Sequence, residues 1–171
     1  VAASDIALAG SGWVSMKSAC TPAATAQRAS SGARSGRPPE VLAEPTPLIR
    51  LALELWLARR EHAVADADRL AAEIEAARPR VRGTCNDQPF DDFRDASDMT
   101  SFFFEVLTST GKYYWIPFDT VESVELHKPT RPREILWRRA RLIVRGGPDG
   151  EVYLPSIYPG SESSQDTALQ T

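Results

Sequence analysis

The spacing of apolar residues changes once along this chain, and the change divides it into two kinds of structure. Leu48, Leu51, Leu55 and Ala58 recur at helical intervals, with Leu53, Trp56 and Leu57 widening the stripe. Val64, Ala67, Leu70, Ala71, Ile74 and Ala77 repeat the pattern until Arg78-Pro79 stops it. After Gly83, aromatic and β-branched residues crowd into short runs punctuated by Pro and Gly, as in strands joined by turns. Helices followed by a sheet make an α+β chain.

Thr46-Pro47 reads as an N-cap followed by proline at the first helical position, where its missing N–H costs nothing. The break at Arg59-Arg60-Glu61-His62 is polar and lacks glycine. Two antiparallel helices, a tetratricopeptide-like hairpin, are the preferred reading, with one long helix as the alternative. Five strands are expected after it. They cover residues 101–107, 112–118, 121–126, 140–145 and 151–154, with a helical turn over 131–137. Residues 86–93 read as a turn-rich connector, too acidic for a buried strand. The result is a helical hairpin followed by a small antiparallel β-meander.

Hydrophobic residues make up 42% of the 171, enough for a real core. Residues 1–35 are dominated by Ala, Ser, Thr and Gly and are expected to be disordered, with at most a turn at Trp13-Val14. The hairpin is placed in 36–80, the sheet domain in 81–160 and a flexible tail in 161–171. No apolar run is long enough to cross a membrane, and residues 1–20 do not read as a signal peptide. Cys20 and Cys85 read as reduced thiols. A net charge of −3 argues against a bulk polyanion binder.

No catalytic constellation stands out. Cys20, Cys85, His62 and His127 lack the spacing of metal ligands, and Ser156 lacks a nucleophile elbow. Asp87, Asp91, Asp92, Asp95 and Asp98 match no calcium loop and read as caps and turns. Neither a metal nor a cofactor is expected, and no enzymatic activity.

Binding is the better direction. In a strand over 140–145, Arg139, Arg141 and Arg145 share one face with Ile143, while Ala140, Leu142 and Val144 point the other way. That basic face either pairs with the chain's own acids or meets an acidic partner. Tyr113, Trp115 and Pro117 lie on one face of their strand, and Tyr114, Ile116 and Phe118 on the other. Both faces are apolar, so the strand is expected between the helices and the rest of the sheet. Pro117 must sit at a strand end, an edge or a bulge, because it cannot donate to a ladder. An aromatic edge strand is also a plausible docking rail.

Several phrases together resemble the ImpE family, also called TagJ or SciE. They are Asp87-Gln88-Pro89-Phe90, Tyr113-Tyr114-Trp115-Ile116-Pro117-Phe118, Pro132-Arg133-Glu134-Ile135-Leu136-Trp137, Val152-Tyr153-Leu154-Pro155 and Tyr158-Pro159-Gly160-Ser161. The similarity covers residues 36–162. The resemblance implies a cytoplasmic, non-enzymatic accessory protein of bacterial type VI secretion. It implies binding to the small sheath subunit TssB and, through it, a link to the sheath-disassembling ATPase ClpV. The family carries further helix pairs ahead of the matching region, so the chain is expected to be truncated at its N-terminal side. Trp56, Tyr113, Trp115, Trp137, Arg139 and Arg141 are the expected contact residues, as exposed aromatics and arginines dominate interface energetics. The alternative is a nucleic-acid or acidic-ligand module using the surface of residues 131–145.

Overall fold

A computed structural model describes residues 13–17, 39–42, 44–95 and 97–156. The disorder expected for 1–35, outside 13–17, and the loose tail expected for 161–171 lie outside these residues. So does Cys20.

Helix α1 (Pro47–Arg60) begins as the sequence indicates: the Thr46 hydroxyl oxygen accepts from the Ile49 N–H at 3.3 Å, and Pro47 opens the first turn. It ends without the usual glycine. His62 takes the left-handed conformation at φ 59°, Ala63 N–H donates to Ala58 O at 2.9 Å, and His62 N–H donates to Arg59 O at 3.3 Å. This is a Schellman closure with histidine in the position that favours glycine. Helix α2 (Val64–Ala77) then runs back until Pro79. Ala52, Ala58 and Ala67 are buried along with Ile49, Leu55, Leu70 and Ile74, and these small side chains let the two axes approach.

Eight strands form one sheet: β1 (Trp13–Lys17), β2 (Arg82–Cys85), β3 (Gln88–Phe90), β4 (Phe103–Thr108), β5 (Tyr113–Pro117), β6 (Val121–Leu126), β7 (Trp137–Val144) and β8 (Asp149–Pro155). Their order is β3-β2-β1-β6-β7-β8-β4-β5. A short helix α3 (Arg133–Leu136) precedes β7, where a helical turn was expected. The five expected strands are β4 to β8, all antiparallel to their partners among themselves. Gly111, at φ 80°, turns β4 into β5, and Gly146, at φ 64°, turns β7 into β8.

Three strands depart from the sequence reading. β2 and β3 form a hairpin whose turn and second strand fall inside the supposed connector, joined by Asn86 and Asp87 at φ 49° and 65°. Two consecutive left-handed residues make the type I′ turn that matches strand twist, and Asn and Asp tolerate it. β1, expected as at most a turn, pairs parallel with both β2 and β6. A strand held by such remote ladders leaves little local trace in the sequence.

Hydrophobic residues alternate across β4 and β5 so that both strands are buried on both faces. Phe104, Val106, Ile116 and Phe118 join Val121, Val124, Leu142 and Leu154 in one core. Phe103, Tyr113 and Trp115 join Ile49, Leu55, Leu70 and Ile74 of the helices in the other. The strand is therefore sandwiched as its two apolar faces require. An ion-pair network ties the end of α2 to the acidic loop: Arg78 grips Asp92 through two bonds of 2.9 and 2.6 Å, and Arg94 reaches Glu75 at 2.9 Å. The Arg78 guanidinium holds the Asp92 carboxyl below the usual carboxylate range, against the opposing effect of burial.

Candidate functional site

The expectation that Tyr113 and Trp115 stand exposed does not hold: their exposures are 8% and 3%. Trp115 stacks on Phe103 with ring centroids 4.4 Å apart. Its indole N–H donates to the Tyr113 hydroxyl at 2.7 Å, and that hydroxyl donates to the buried Glu105 carboxylate. Glu105 lies opposite Trp115 in the β4–β5 ladder, so all three meet on the face covered by the helices. Burial first, and then the Glu105 charge, push the Tyr113 phenol well above its ordinary value. These polar groups lock the hairpin to the sheet.

The docking rail at β5 is also closed. Glu40 pairs with its outer edge: Glu40 N–H donates to Tyr113 O at 2.7 Å, and Trp115 N–H donates to Glu40 O at 3.2 Å. Pro117, two residues on and facing the same way, has no N–H to offer.

β7 shows the expected alternation, with Ala140, Leu142 and Val144 buried and Arg139 and Arg141 exposed. The basic face is engaged by the chain's own acids. Arg141 holds Asp149 through bonds of 2.9 and 2.6 Å, and Arg139 lies 3.6 Å from Glu151, which His127 also reaches at 2.9 Å. The Arg141 hydrogen bond holds the Asp149 carboxyl below its ordinary range.

Trp56 is half-buried on α1, with the Arg60 guanidinium 4.7 Å from its ring centroid and exposed Leu57 beside it. Trp137 is half-buried at the start of β7, next to exposed Ile135 and Leu136. Trp56 and Trp137 thus lie on different elements, and the six expected contact residues form no single cluster.

The sequence reading missed a groove of about 300 Å³ lined by Leu42, Pro45, Ile49, Trp115, Pro117 and Val144. It runs between the segment leading into α1 and the β7–β8 turn, and the otherwise buried Trp115 forms part of its wall. No pattern in the sequence announces it, because its walls come from three separated stretches. Such a groove accommodates apolar side chains. Among the described residues, no three or more His, Cys, Asp or Glu side chains are placed to hold a metal ion. No helix among them is long and apolar enough to cross a membrane.

Comparison with known proteins gives this arrangement a context. The family described as ImpE protein matches residues 87–171. The type VI secretion system accessory component TagJ of Pseudomonas aeruginosa strain PAO1 is 28% identical over 133 residues, covering 77% of this chain and 47% of that protein. Protein VPA1032 from Vibrio parahaemolyticus, known from a crystal structure, shares the fold at a TM-score of 0.69 and 24% identity. That match covers 81% of this chain and 54% of the other. The chain thus spans about half the length of these two relatives. The sheet domain carries the match to the ImpE family, and the helical hairpin extends the likeness to TagJ.

Proposed function

We propose that this chain serves a bacterial type VI secretion system as a cytoplasmic accessory protein that acts by contact with other proteins and catalyses no reaction. One observation carries the reading: the 28% identity over 133 residues with a type VI accessory component. In this reading the small sheath subunit TssB is the direct partner, and the ATPase ClpV is reached through it. Trp56, Trp137, Arg139 and Arg141 remain accessible for that contact, and the groove beside Trp115 offers an apolar seat. The nucleic-acid alternative is weaker, because Arg139 and Arg141 face Glu151 and Asp149.

Titration calorimetry of the full chain against purified TssB tests the proposal. A saturable heat with a Kd in the micromolar range or below supports it. No binding by a chain whose circular dichroism shows both helix and strand overturns the partner assignment.

A further inference from the structure

The charge that the β7 face lacks is found one loop earlier. Between β6 and β7, residues 127–136 carry Lys128, Arg131 and Arg133, all exposed. Among the described residues, no acid forms an ion pair with any of the three. The single acid of the loop is turned inward: Glu134 is 6% exposed, and its carboxylate accepts from the Thr130 N–H at 2.7 Å and the Thr130 hydroxyl at 3.1 Å. Among the described residues the loop therefore presents three uncompensated cations, on a molecule whose net charge is −3.

On the same loop stand two aliphatic side chains, Ile135 at 56% and Leu136 at 52% exposure, with half-buried Trp137 following. Isolated apolar residues at a surface are ordinary, but adjacent ones beside a tryptophan and three unpaired cations form a defined patch. Their backbone is held from beneath. Ser156 at the end of β8 donates through its N–H to Leu136 O at 3.0 Å and through its hydroxyl to Ile135 O. The ledge is thus ordered before any ligand arrives, which lowers the entropy cost of binding.

We propose that this ledge docks an acidic protein segment in which carboxylates alternate with apolar side chains. The apolar groups cover Ile135, Leu136 and the edge of Trp137, and the carboxylates meet Lys128, Arg131 and Arg133. The occupant follows from charge complementarity, since the host lacks acids where the ledge has cations. Three cations over one loop are few for a nucleic-acid surface, whose affinity rests on many phosphate contacts. The inference deepens the accessory-protein reading by naming a contact surface, and it stands or falls separately from the identity of the partner.

The test places a photo-crosslinking phenylalanine analogue at position 135 of the full chain, in cells carrying a type VI secretion system, with exposed position 64 on α2 as the control. The crosslinked peptides are then sequenced. The expected result is an acidic, apolar-interleaved segment of another protein captured at 135 and not at 64. In the purified pair, Ile135→Ser with Leu136→Ser should weaken binding about tenfold or more, and Arg131→Ala with Arg133→Ala about three- to tenfold at low salt. Capture of the chain's own residues 157–171 alone, capture of non-acidic segments, or no capture overturns the inference. Sedimentation of the chain with phosphatidylserine vesicles, abolished by the Ile135 and Leu136 substitutions, assigns the ledge to a membrane and also overturns it. An acidic segment from a protein other than TssB upholds the ledge and overturns the partner assignment. TssB binding that ignores all four substitutions does the reverse.

Discussion

The Tyr113 hydroxyl donates to the Glu105 carboxylate inside the contact between helices and sheet, where neither group meets bulk water. Tyr113→Phe removes one donor from the buried carboxylate and the acceptor of the Trp115 N–H. The expected cost is about 1–3 kcal/mol, read from urea unfolding midpoints. The same variant has a pH signature. In the unfolded chain the phenol ionises near 10.0, whereas in the folded protein it stays protonated to higher pH. Its contribution is full below that value and is lost as pH rises above it, because only the unfolded state then releases the proton. The wild type should lose stability between about pH 9 and 11 more steeply than Tyr113→Phe. Parallel slopes would count against a buried phenol.

Trp115 belongs to the interior, so Trp115→Ala should destabilise by about 3–5 kcal/mol. An unchanged thermal midpoint with lost partner binding would instead make the ring a surface contact.

His62 occupies a left-handed position that suits glycine, and a side chain there costs of the order of 1 kcal/mol. His62→Gly is expected to raise stability by about 0.5–1 kcal/mol, seen as a higher urea midpoint at constant m-value. A loss would mean that the histidine ring makes a contact worth more than the strain.

Arg78 grips Asp92 with a planar fork that lysine cannot reproduce. Arg78→Lys should cost about 1–2 kcal/mol at neutral pH. Asp92 is held below its ordinary value of 3.8, so its contribution is present above that pH and is lost as pH falls through the lower folded value. The gap between variant and wild type should therefore narrow below about pH 4 in acid titrations followed by circular dichroism. A gap that stays constant would place the loss elsewhere.

The helices and strands β4 to β8 were legible because their signals are local. A proline after a threonine opens α1, and glycines mark the β4–β5 and β7–β8 turns. The β2–β3 hairpin was harder: Arg82-Gly83-Thr84-Cys85 and Gln88-Pro89-Phe90 are nearly without apolar alternation. Its one usable signal was the Asn86-Asp87 pair, a type I′ turn in residues that tolerate positive φ. Contact residues were less legible still. The two-faced aromatic pattern of β5 announced a sandwiched strand, yet aromatic identity alone could not say that Tyr113 and Trp115 face the helices. Nor could a run of arginines reveal that Arg139 and Arg141 find acids across a hairpin, whereas Lys128, Arg131 and Arg133 find none among the described residues.

Prolines stand in both outermost strands, Pro89 in the three-residue β3 and Pro117 at the end of β5, and the backbone of Glu40 covers part of the β5 edge. An open sheet is ordinarily a template that invites another strand alongside. Here neither margin can be lengthened by simple addition, so copies held close together gain no ladder by lining up. Among the described residues, a partner that comes to either margin as a strand meets a proline, so recognition there falls to side chains.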